Sequence, residues 1–108
     1  MTPYLLILCN CPDDSSAQRI TESLLSQQLV ACINRLPDIR SSYRWQGQIE
    51  HSVEIQLQLK APAVNFTAIE QAILAIHPYT VPEIIALPLT RLHAPYGQWI
   101  NEVTLGDH

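Results

Sequence analysis

The chain has little positive charge and almost no glycine. Lys and Arg number six, against ten Asp and Glu, for a net charge of −4. A nucleic-acid surface needs clustered basic residues, so no nucleic-acid partner is expected. The local exception is Arg35, Arg40 and Arg44, expected to pair with acidic residues of a neighbouring molecule. The three glycines, Gly47, Gly97 and Gly106, are too few and too scattered for a glycine-rich phosphate loop. There is no Ser-His-Asp motif either, and the chain is not expected to be an enzyme. No apolar run reaches the roughly 18 residues of a membrane span. Met1-Thr2-Pro3-Tyr4 lacks the basic start of a secretory leader. The expectation is a cytoplasmic protein without a membrane partner. Three cysteines are an odd number, which argues for reduced thiols over a disulfide framework.

Hydrophobic residues make up 47% of the chain and charged residues 15%. That balance fits a single globular domain over residues 1–108, with apolar surface that favours self-association.

Tyr4 to Cys9 is a short apolar run closed by Asn10-Cys11-Pro12-Asp13, as in a buried strand. Asp13 or Asp14 is placed to cap a helix carrying Ala17, Ile20, Leu24 and Leu25 on one side. A second strand starts near Val30, and Pro37 requires that it lie on an edge or carry a bulge. From Asp38 the residues alternate. Ile39, Ser41, Tyr43 and Trp45 share one phase; Ile49, Val53, Ile55, Leu57 and Leu59 then mark a half-buried strand. Around Gln46-Gly47-Gln48, an odd-length turn would pair Trp45 with Ile49 and Tyr43 with His51. A two-residue loop would instead set Trp45 opposite Gln48, so the odd turn is expected. Ile49 to Lys60 spans roughly 40 Å at about 3.3 Å per residue. The hairpin should therefore overhang its domain, with Tyr43, Trp45 and Ile49 on one apolar face that an identical subunit would cover.

Pro62 is expected at the start of a second helix with a stripe of Phe66, Ile69, Ile73 and Ile76. Glu83 to Leu89 reads as the last strand, and Pro95 to Ile100 as a short terminal helix. The order β-α-β-β-α-β plus a helix implies an α+β, ferredoxin-like sandwich.

Between the second helix and the last strand lies His77-Pro78-Tyr79-Thr80-Val81-Pro82-Glu83. Its prolines hold the backbone stiff while it presents an imidazole, a phenol and a carboxylate. His77 is a metal-ligand candidate, or interacts with the carbonyls of its helix end. Tyr79 and Glu83 are candidates for a polar cluster with Lys60 or an arginine, either as a ligand pocket or as an interface network. Cys9 and Cys11 put two thiols on one strand face. Soft thiolates favour copper(I) or zinc, although a buried cysteine also serves as a small hydrophobe. Cys32 reads as core, and His51, His93 and His108 as surface residues. Tyr43 and Trp45 read as interface anchors.

Leu29 to Asn34, Ser42-Tyr43-Arg44-Trp45-Gln46-Gly47-Gln48-Ile49, Glu54 to Lys60, His77-Pro78-Tyr79, Val81-Pro82-Glu83-Ile84 and Tyr96 with Trp99-Ile100 follow one another in an order and spacing that resemble the CutA family. These are the divalent-cation tolerance proteins, and the likeness runs over about residues 4 to 103. The resemblance implies a tight homotrimer with the architecture of the PII signalling proteins, no established enzymatic activity, and a link to copper or another divalent metal without an obligatory cofactor. It also implies Cys9 and His77 as metal ligands. Some members carry a second histidine where Ile76 stands and a cysteine where Ala72 stands. The usual threonine at Ala61 is missing, and with it a helix-capping hydroxyl. Two other readings remain beside metal homeostasis. One is a PII-like sensor taking a small anionic ligand between subunits through Arg44, Lys60, Tyr79 and Glu83. The other is a structural trimeric hub.

Overall fold

A computed structural model describes residues 3–106. In chain order the elements are β1 (Tyr4–Cys11), α1 (Asp14–Ser26), β2 (Cys32–Trp45), β3 (Gln48–Pro62), a 3-10 turn (Ala63–Asn65), α2 (Phe66–Ile76), β4 (Ile84–Pro88) and α3 (Ala94–Thr104). The strands form one antiparallel sheet in the order β2-β3-β1-β4. With α1 and α2 packed on one side of it, the fold is ferredoxin-like.

The period-2 pattern explains which face is covered. Ile7, Cys9 and Cys11 of β1 lie level with Leu59, Leu57 and Ile55 of β3, and this phase meets the helices. Ala17, Ile20 and Leu24 of α1 and Ile69 and Ile73 of α2 close the core from above. Each such aliphatic side chain contributes about 1.5–3 kcal/mol by leaving water. Leu25, next in phase to Leu24, is exposed.

The Asp13 carboxylate caps α1. It accepts the Ser16 N–H at 2.8 Å and the Ser16 hydroxyl at 2.7 Å, and these bonds hold its carboxyl below the ordinary aspartate range. Pro62 ends β3 rather than opening α2, which starts after the 3-10 turn. Ala61 is buried within β3, so a hydroxyl at that position would not sit at a helix cap.

β2 is an edge strand, as Pro37 requires, and it also carries the bulge. Between Leu36, opposite Gln56, and Ile39, opposite Glu54, it holds one residue more than β3. Asp38 takes a left-handed backbone there, with φ of 59°. The extra residue reverses the phase of everything beyond it. The hairpin then closes through a two-residue loop, with Trp45 opposite Gln48 and Tyr43 opposite Glu50. Gln46 and Gly47 have φ of 51° and 78°, the signature of a type I′ turn. This corrects the expected odd-length turn. Ile49 pairs with Arg44 and lies on the face opposite Tyr43 and Trp45, so both faces of the tip carry apolar side chains. The tip does overhang: the described residues measure 48 Å along the long axis and 26 Å across.

The second sheet face is only partly covered. α3 lies over one end of it, where the Asn101 amide donates to the Tyr4 hydroxyl at 2.9 Å. Cys32 pairs with Lys60 on this face and is half-buried beside Tyr96, not in the core. Further along, Leu6 lies opposite Leu87 and Leu8 opposite Ile85. Ile85 and Leu87 are 48% and 44% exposed.

Candidate metal centre and adjoining cleft

Three side chains from two elements converge beneath the connector. β1 projects Cys9 and Cys11 toward the helices, because residues two apart share a face. α2 ends at Ile76, where Pro78 leaves no donor to continue it, and His77 turns back over β1. The two Sγ atoms and a ring nitrogen of His77 all lie within 4.8 Å of one another. Both thiols are fully enclosed and His77 is nearly so. Two thiols and an imidazole are a donor set for a soft metal ion, and this one fits such an ion in both chemistry and spacing. The thiols also act on each other. The Cys11 sulfur, together with burial, pushes Cys9 up. The bond from Cys9 holds Cys11 below the ordinary thiol range, against burial.

His77 does not meet its own helix end through its ring. Its Nε2 donates to the Asn10 carbonyl in β1 at 2.8 Å, and its Nδ1 accepts the Tyr79 N–H at 3.1 Å. These partners select the neutral tautomer with the proton on Nε2.

From Asn10 and Tyr79 the network continues to Glu54. The Tyr79 hydroxyl donates to Glu54 Oε2 at 2.6 Å, and the Asn10 amide to Oε1 at 3.3 Å. Gln56 donates to the Asn10 side-chain oxygen at 3.4 Å. Glu54 is only 5% exposed. Burial pushes its carboxyl up, but the Ser41 and Tyr79 hydroxyls, the Asn10 amide and the nearby His77 outweigh this and leave it below the ordinary glutamate range. Burial and the Glu54 carboxylate together push the Tyr79 phenol up.

Glu54 also forms part of the wall of a cleft of about 680 Å³ between the hairpin tip and the connector. Tyr43, Arg44, Trp45, Tyr79 and Glu83 line it too, so the cleft gathers five of the six residues singled out for a pocket or interface. Lys60 stands apart, and its ammonium donates to the Asn34 side-chain oxygen. Arg35 is engaged within its own chain, donating to Gln18 at 2.7 Å with Asp14 at 4.0 Å. His51 is exposed and bonds Ser42 at 2.8 Å; His93 precedes α3 on the surface; His108 lies outside the described residues.

Sequence reasoning missed Glu54 and Asn10. Glu54 stands in the polar phase of β3 and reads as solvent-facing, while Asn10 reads as part of the turn that closes the first apolar run. The one signal that could have flagged Glu54 is the bulge at Pro37-Asp38, which puts Glu54 level with Ile39 and on the face of Tyr43 and Trp45.

Comparison with known proteins gives one consistent result. The family model described as "CutA1 divalent ion tolerance protein" matches residues 5–103. The divalent-cation tolerance protein CutA of Thermus thermophilus is 36% identical over 99 residues, covering 92% of this chain and 96% of that protein. The crystal structure of CutA from Xylella fastidiosa superposes with a TM-score of 0.92 at 41% identity, over 95% of this chain and 99% of that one. A structure described as the periplasmic divalent cation tolerance protein CutA from Archaeoglobus fulgidus gives a TM-score of 0.91 at 33% identity, over 94% and 98%.

Proposed function

Since the chain belongs to the CutA1 divalent ion tolerance family, we propose that it binds copper or another divalent metal weakly and contributes to metal homeostasis as a cytoplasmic, non-enzymatic homotrimer. The observation that supports this most is the enclosed group at the end of β1. The Cys9 thiol and the His77 imidazole, which the sequence marks as ligands, lie within 4.8 Å of each other on different elements. Bound there, a metal ion would supply only its charge and its affinity for sulfur and nitrogen. The protein's part is to hold the donors together, away from water. Among the described residues no helix is long and apolar enough to cross a membrane. The open sheet face with Ile85 and Leu87 supports self-association.

The test is a calorimetric copper titration of the purified protein under reducing conditions, with the assembly mass measured in parallel. Cys9→Ser and His77→Ala are expected to lower affinity and leave the mass unchanged. Unchanged affinity in both variants would remove these residues as ligands.

A second reading, a sensor for a small molecule, draws support from the cleft. Its lining carries Glu50, Glu54 and Glu83 against Arg44. That balance favours a cationic ligand over an anionic one. A ligand selective for the folded state must raise its melting temperature. A screen of small organic cations and anions that gives no shift would dismiss this reading.

A further inference from the structure

We propose that Cys11 is a third metal ligand, making with Cys9 and His77 a three-coordinate site for copper(I). The proposal rests on the metal-binding reading above and adds to it the ligand number and the oxidation state. Three features carry it. The Cys11 sulfur lies within the same 4.8 Å group and is as fully enclosed as Cys9. It stands in regular strand, level with Ile55, so its direction is fixed by the sheet. Among the described residues no fourth His, Cys, Asp or Glu joins the group.

These features discriminate between metals. Zinc in closed protein sites is almost always four-coordinate and tetrahedral. With both thiols fully enclosed and no fourth His, Cys, Asp or Glu in the group, the described residues offer three such ligands, one short of a closed zinc site. Copper(I) is soft, prefers thiolate, and is satisfied with three ligands. Two thiolates and a neutral imidazole around one positive charge carry a net charge of −1. Burial keeps the empty group from holding two thiolates at once, so binding releases thiol protons, and the charge of the ion offsets part of the charge left on sulfur. No electron transfer is involved, since the ion is supplied in its reduced state.

The test is copper(I) competition against a chromophoric chelator, under anaerobic reducing conditions, with copper K-edge absorption on the loaded wild-type chain. The expected result is one copper per chain, with two sulfurs and one nitrogen around it. Cys11→Ala is expected to lower copper(I) affinity by more than about 100-fold, beyond the usual effect of a residue that only supports a ligand. The wild-type sulfur count does not depend on any variant folding. One sulfur per copper would overturn the role of Cys11 and leave Cys9 and His77 standing. Zinc bound more tightly than copper(I) in matched competition would overturn the metal assignment. No metal bound at all would overturn both this proposal and the reading beneath it.

Discussion

A glutamate that is 5% exposed and still holds its charge is the residue on which the cleft and the metal group both lean. Glu54 keeps its charge because hydrogen-bond donors replace the water it lost. Its carboxyl lies lower in the folded chain than in the unfolded one, so the unfolded chain binds more protons at acid pH. The contribution is complete above the ordinary glutamate range and is lost as pH falls through that range to the folded value. Glu54→Gln should therefore destabilise the protein by about 1–3 kcal/mol at neutral pH. It should also flatten the acid limb of a plot of denaturation free energy against pH. Urea titrations of both proteins across the acid range check this; parallel limbs would show that Glu54 does not carry the acid dependence. Neither Glu54 nor Asn10 was legible in the sequence: a glutamate in the polar phase of a strand carries no mark of burial, and an asparagine that ends an apolar run reads as a turn residue. Cys9, His77, Tyr79 and Trp45 were legible, because thiol, imidazole and aromatic groups stand out beside prolines and turns.

At the scale of elements, the hairpin and the connector decide what the site can do. Strand periodicity predicted β3 closely, since alternation is local. It failed for the pairing of β2 with β3, since one bulge residue at Pro37-Asp38 reverses every later partner. The turn that results needs two left-handed residues, and Gly47 meets the need without strain. Gly47→Ala should cost about 1 kcal/mol although open space surrounds the position. Gln46→Asn should offset part of this, because asparagine is favoured at that place in a type I′ turn. Thermal melts of the single and double variants test both. The connector couples the metal group to the cleft. If Nδ1 of His77 takes a metal, it can no longer accept the Tyr79 N–H. If Nε2 does, the proton moves to Nδ1 and the same bond is lost. Either way Tyr79 is released beside its bond to Glu54. In a Trp99→Phe background, copper(I) should therefore shift the emission of Trp45 on the cleft wall, and Glu54→Gln should blunt the shift. Metal uptake with unchanged emission would show the two places to be independent.

For the whole molecule, the open face sets the expectation. Leu6, Leu8, Ile85 and Leu87 form an apolar patch on the sheet side that α1 and α2 do not cover. Leu87→Glu would place a charge within it, which an assembled interface could not hydrate. If the protein assembles as the proposed trimer through this face, light scattering should then report single chains for the variant and a trimer for the unaltered protein. An unchanged mass would move the interface elsewhere.

The strand order has a further consequence, for synthesis and folding. β1 is made first, yet it sits between β3 and β4, so both of its neighbours arrive later. The β2-β3 hairpin can form alone, but the cover over Cys9 and Cys11 is complete only when β3 lies alongside and α2 joins α1 above them. On a growing chain, then, the two thiols stay incompletely covered until α2 has been made. The nascent chain is the state in which they are easiest to oxidise and easiest to load.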